Sequence, residues 1–130
     1  MTLTRESLGN ANRIRRYDVG SVTVNETTLT RTLLLSREEL NGEWGPEDAS
    51  GLTEEHLNDV LAMAPEVLIL GTGRRQRFPE RSLMAQAIRA GVGIEVMTTE
   101  AACRTYNVLA AEERHVVAVL FMIETEDANG

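Results

Sequence analysis

The chain has no lysine: all 13 of its basic residues are arginine. A GC-rich genome and selection for bidentate anion contacts both account for such a bias, and the sequence leaves both open. Cysteine is nearly absent too. A lone Cys103 cannot close an internal disulfide, which fits a reducing compartment better than a secreted one. No apolar run approaches the 18 or so residues of a membrane span; the longest, Val116 to Ile123, reads as a buried strand. The first residues, Met1 to Asn12, lack the apolar core of a secretory signal, and the arginines at 5, 13, 15 and 16 lie on no clear amphipathic helix. A cytoplasmic protein is therefore expected. Basic charge is also in deficit: the net charge of −7 disfavours phosphate neutralisation on nucleic acid and attraction to anionic lipid. Two distant histidines and one cysteine give no metal-ligand spacing, so no metal is expected.

What is present is ordinary for a globular domain: 130 residues, 42% hydrophobic and 25% charged. Such a chain holds one core, so residues 1–11 are expected as a loose arm, 12–124 as one domain and 125–130 as a frayed acidic tail. Ile14–Val19, Ser21–Asn25 and Leu29–Ser36 read as three short strands, with Glu26-Thr27-Thr28 as a turn and an antiparallel meander as the result. Residues 41–48 form a loop by composition, whose Trp44 is expected to fold back over the core. From Gly51 the rhythm changes to βα. Leu52, His56, Leu57, Val60, Leu61 and Ala64 recur at helical spacing, with Ser50 or Thr53 as cap and Pro65 as stop. Glu66–Leu70 is a continuous apolar run, as a strand covered on both faces requires, and Gly71-Thr72-Gly73 breaks it. Glu80–Arg89 follows as a helix with Leu83, Met84, Ala87 and Ile88 inward, then a strand at Ile94–Met97. A third helix starts at Thr98 or Thr99, runs to about Ala111, and buries Ala102, Tyr106, Leu109 and Ala110. His115–Ile123 is the last strand. The order βββ-α-β-α-β-α-β implies a layered α/β sheet in which Glu66–Leu70 pairs in parallel with Ile94–Met97.

In open α/β sheets ligands bind beyond the carboxyl ends of the strands. Gly71-Thr72-Gly73 falls there, and Arg74, Arg75, Arg77 and Arg81 follow it. A glycine turn leading to arginines and a helix start suits a small anion, although a solvated turn or a protein-contact surface explains it as well. It is not a nucleotide loop: Gln76 replaces the third glycine of GxGxxG, and GxxxxGK[ST] is absent. Cys103 lies early in the third helix, where the helix dipole lowers a thiol pKa. Neither His56 nor His115 is placed by sequence to serve as its base, and a small buried thiol is the simpler reading. Asn107, with Thr105 and Tyr106, sits mid-helix, where an amide is a poor helix former; a structural bridge to a neighbouring loop is expected of it.

Two segments carry a family resemblance. The run Glu66-Val67-Leu68-Ile69-Leu70-Gly71-Thr72-Gly73, with Arg77-Phe78-Pro79 after it, is similar to the turn region of the Mth-type domain family. So is the run from Gly93 to Leu109, which contains Thr98-Thr99-Glu100-Ala101-Ala102-Cys103-Arg104-Thr105-Tyr106-Asn107, with Glu113-Arg114 beyond. The resemblance implies a three-layer α/β fold with a mixed central sheet and an added N-terminal antiparallel β layer. It implies no established catalytic activity and no cofactor, and a mitochondrial member acts by binding proteins during respiratory-complex assembly. Two functions follow. One is a non-enzymatic binding or assembly protein with a protein partner; the other is an enzyme or sensor that binds a small anion. Both would use one cleft formed by Gly71, Thr72, Gly73, Arg74 and Arg77 with Thr99, Cys103, Thr105 and Asn107. The oligomeric state is left open.

Overall fold

Positive φ at Gly20 (75°) and Asn25 (56°) lets the chain reverse twice within a few residues. The outcome is a small antiparallel sheet of β1 (Ile14–Asp18), β2 (Ser21–Val24) and β3 (Thr27–Leu29), in the order β1-β2-β3. In this computed structural model, which describes residues 11–126, the turn expected at 26–28 is confined to Asn25-Glu26. The strand expected over Leu29–Ser36 is two strands in two sheets. Thr30-Arg31-Thr32 carries the chain across to β4 (Leu33–Ser36), and Thr32 is held there by its hydroxyl, which donates to the Pro46 carbonyl at 2.6 Å. The apolar residues on either side of that step look alike in sequence, which hides the break. A two-residue β5 (Leu40–Asn41) follows. The expected arm before Ala11 and the tail beyond Glu126 lie outside the described residues.

The second half alternates as the sequence suggests: α1 (Glu54–Leu61), β6 (Val67–Thr72), α2 (Arg81–Arg89), β7 (Gly93–Met97), α3 (Thr99–Ala111) and β8 (Val116–Phe121). The five-stranded sheet has the order β5-β4-β8-β6-β7; β4 is antiparallel to β8, and β6 is parallel to both β8 and β7. The expected pairing of 66–70 with 94–97 is present, with Leu68 opposite Ile94 and Leu70 opposite Val96. Because strand side chains alternate, β6 sends Leu68 and Leu70 to one face and Val67 and Ile69 to the other. On the first face they meet Leu57 and Val60 of α1, Leu83 of α2 and Trp44, which folds back over the core at 8% exposure. On the second they meet Ala102, Cys103, Tyr106 and Ala110 of α3 together with Ile14, Val22 and Val24 of the small sheet. Each such leucine or isoleucine stabilises the fold by about 1.5–3 kcal/mol, so a strand covered on both faces is apolar except where, as at its end, a side chain finds hydrogen-bond partners.

Thr53 rather than Ser50 caps α1. Its hydroxyl accepts from the His56 amide at 3.3 Å, and its own amide donates to His56 Nδ1 at 3.0 Å, so the imidazole completes a capping box. His56 also meets the Trp44 ring edge-on at 5.3 Å. On α2, Leu83 and Ala87 are buried as expected, but Ile88 is 67% exposed. The nine-residue helix presents too narrow a stripe to bury both Ala87 and its neighbour.

Candidate functional site

The carboxyl ends of β6 and β8 converge on the start of α3. Here Gly71 and Thr72 do not break the strand as expected: β6 runs through both, and only Gly73, at φ 95°, turns the chain. Gly71 is required by a close approach. A Cβ there would come 2.8 Å from Ala102 Cβ, 3.0 Å from Leu120 Cδ2 and 3.0 Å from the Thr99 Cα. The missing side chain lets α3 lie directly on the β6 backbone.

Thr99 fastens this contact. Its hydroxyl donates to the Phe121 carbonyl at 2.6 Å and accepts from the Gly73 amide at 2.8 Å, while its own amide donates to the Gly73 carbonyl at 2.9 Å. Thr72 does the same on the other side. Its hydroxyl lies 2.7 Å from the Arg75 carbonyl and 3.2 Å from that of Met97, and accepts from the Arg77 amide at 2.9 Å. Turn and helix start therefore meet as the sequence suggests, but as a closed seam: Thr99 is 0% and Thr72 3% exposed. The expected cleft between them is filled by Ala102 and by these hydroxyls.

The surface begins at Arg74. Its amide donates to Glu124 Oε1 at 2.6 Å and its Nε to the Glu124 main-chain carbonyl at 3.1 Å. Gln76 reaches across to the carbonyl of Val96 on β7, an edge strand, at 2.9 Å. Arg77 is exposed beside Phe78, which is 66% exposed, while Pro79 is buried. Neither Phe78 as an exposed aromatic nor Glu124 as a contact was foreseen. An exposed Phe between arginines in a turn is a readable signal; a contact spanning 50 residues is not.

Cys103 is packed in the core, and burial pushes its thiol up to about 12. The dipole argument for an activated thiol is overturned, because loss of solvation outweighs a helix-end field. Tyr106 and Asn107 form the expected bridge. The Tyr106 hydroxyl donates to the Asn12 carbonyl at 2.9 Å; Asn107 accepts from the Ile14 amide at 2.9 Å and donates to the Ile14 carbonyl at 2.8 Å. One side-chain amide thus pairs with β1 as a strand would. Thr105 is half-buried nearby. Asn107 lies on the side of α3 that faces the small sheet, away from the Gly71–Arg77 segment, and Thr105, two positions before it, projects from the opposite side of the helix. The site expected from the sequence therefore divides into a seam, a loop and a bridge. Asn107→Ala is expected to cost about 1–3 kcal/mol, since it leaves both Ile14 groups unpartnered. Amide exchange should then rise in β1 and β2 before it rises in β6, and uniform exchange would count against the bridge.

His115 and His56 stand apart, and among the described residues no three His, Cys, Asp or Glu side chains gather as a metal site. The amide of His115 instead donates to Glu66 at 2.9 Å; that bond, with Arg114 nearby, holds the Glu66 carboxyl below its usual range.

The family model for a protein of unknown function (DUF498/DUF598) matches residues 14–121. The chain belongs to this Mth-type domain family. A Francisella tularensis relative named 13 kDa major membrane protein is 30% identical over 121 residues, covering 92% of this chain and 98% of that one. The Danio rerio NADH dehydrogenase (ubiquinone) 1 alpha subcomplex assembly factor 3 is 32% identical over 80 residues, or 60% of this chain; the match spans 46% of the assembly factor's own length. A Xanthomonas campestris protein solved by NMR superposes with a TM-score of 0.84 at 37% identity, covering 98% and 96% of the two chains. A Bordetella pertussis Mth938-like domain does so at 0.76 and 27%, covering 95% and 92%. This Mth-type domain has no helix, among the described residues, long and apolar enough to cross a membrane.

Proposed function

We propose that this Mth-type domain is a non-catalytic protein-binding module of the assembly-factor kind, and that its partner contact is the exposed loop carrying Arg77 and Phe78. The observation that carries this reading is Phe78 itself, 66% exposed and next to an exposed arginine. Aromatic and arginine side chains dominate binding energy at protein interfaces. The seam behind the loop supports it: Thr72 and Thr99 use their hydroxyls on backbone groups, and the Cys103 thiol is buried and protonated at neutral pH. A relative named as an assembly factor points the same way. The partner is a protein with an apolar pocket bordered by carboxylates, met by residues 12–124 acting as one unit in the cytoplasm.

The test is co-isolation from native extract with Phe78→Asp and Arg77→Glu, singly and together. Loss of a central aromatic anchor commonly costs about 2 kcal/mol or more in binding, so recovery of the partner should fall at least about tenfold. The circular dichroism spectrum should stay unchanged, since Phe78 is largely exposed and outside every helix and strand. Undiminished recovery would remove the loop from the interface. Arg74 suits this test poorly, because its contacts to Glu124 are structural.

A further inference from the structure

Backbone amides at a turn after a buried strand suit an anion, and at Gly73-Arg74 an anion is already in place. The Glu124 carboxylate lies across the Cα of Gly73, with Cδ 2.9 Å and Oε2 3.1 Å from where a Cβ would stand and Oε1 closer still. Only glycine at φ 95° leaves this space. The carboxylate accepts the Arg74 amide at 2.6 Å, the short distance of a charge-assisted bond. Three facts bear on what else could occupy this position. Glu124 lies beyond the end of β8, so its side chain can turn away without opening a ladder bond; the chain just before it stays tied, because the Ile123 carbonyl accepts the Gly20 amide at 2.9 Å. The contact is solvent-exposed, and a groove of about 390 Å³ opens beside Glu124, with Thr30, Thr32, Gly45 and Met122 also in its wall. Glu43 and Glu47 line the same groove with Arg31, which pairs with Glu43 at 3.8 Å, and the excess negative charge disfavours a multiply charged anion more than a singly charged one.

We propose that Arg74 is the centre of a carboxylate-binding site which the chain's own Glu124 occupies at rest, and which a carboxylate from outside takes when Glu124 swings out. The ligand class is a monocarboxylate, either free or as an acidic side chain of the partner. The second source rests on the partner reading above; the site itself does not. Glu124 acts as a gate. A tethered carboxylate competes at an effective concentration in the millimolar range or above, so only a ligand with further contacts in the groove displaces it.

The experiment follows the Arg74 amide by ¹⁵N–¹H correlation spectra in the wild type, Glu124→Ala and Glu124→Gln. Sodium acetate and sodium phosphate are the probes, at constant ionic strength. In Glu124→Ala the Arg74 amide should lose its downfield hydrogen-bonded position, and acetate should restore it with an apparent affinity at least about tenfold tighter than in the wild type. Glu124→Gln keeps a neutral acceptor and should fall between them. Phosphate should act more weakly than acetate. Co-isolation then separates the sources: partner recovery that rises several-fold in Glu124→Ala assigns the carboxylate to the partner, whereas unchanged recovery with acetate binding intact assigns it to a free compound. An Arg74 amide in folded Glu124→Ala or Glu124→Gln that ignores acetate overturns the site. So does phosphate acting as strongly as acetate. Phe78→Asp should leave the acetate titration unchanged, so a failure of the partner reading would be seen separately.

Discussion

Thr99→Val should lower the melting temperature by roughly 10 °C, the shift that about 2–3 kcal/mol produces in a domain of this size. Valine matches threonine in shape, so packing against Ala102 is kept while the hydroxyl goes. Two backbone groups then lose their partner in a place water does not reach: the Gly73 amide and the Phe121 carbonyl. A buried group left unpaired costs about 1–3 kcal/mol, and two of them set the size of the effect. Thr99→Ser restores the oxygen and should recover most of the loss. Urea titrations of the three proteins give the comparison, and a Thr99→Val penalty below about 1 kcal/mol would mean that the seam is relieved some other way.

Gly71→Ala should be nearly as damaging, for the opposite reason. The added methyl meets Ala102 Cβ, Leu120 Cδ2 and the Thr99 Cα at 2.8 to 3.0 Å. A leucine can change rotamer; a helix backbone cannot, so α3 must lift from β6. Overpacking of this kind typically costs about 1–3 kcal/mol, and the lift also stretches the Thr99 bonds. The two substitutions touch one seam, so their effects should be strongly non-additive. The double variant Gly71→Ala with Thr99→Val is expected to lose clearly less than the sum, with an interaction energy of about 1 kcal/mol. Strict additivity would show that Gly71 and Thr99 act independently.

Gly71 also illustrates where the sequence was readable. The apolar run before it announced a buried strand, and its partner at 94–97 followed from the alternation of strands and helices. The glycine was then read as an end, because glycine commonly punctuates strands. Its actual reason, a helix resting on the backbone, depends on Ala102, 31 residues on. The same limit applies elsewhere. Asn107 could be marked as a bridge because an amide in mid-helix conflicts with local propensity, yet its target on β1 could not be named. Thr30-Arg31-Thr32 gave no sign of passing between sheets, since Leu29 and Leu33 suit either one. Arg74 and Arg77 stand three residues apart in a run of arginines that looked uniform. The fold separates them by role: one holds Glu124, and the other faces solvent next to Phe78.

The place of β8 has a consequence for biosynthesis. It joins β4 to β6, so the two halves of the five-stranded sheet have no shared ladder until residues 116–121 have been made. Between the synthesis of β6 and that of β8 the apolar Val67–Leu70 segment therefore has at most β7 beside it in the sheet. Over that interval the edge of the segment is unpaired, and exposed strand edges of this kind are prone to aggregate. Among the described strands, the last to be made is the one that closes the sheet.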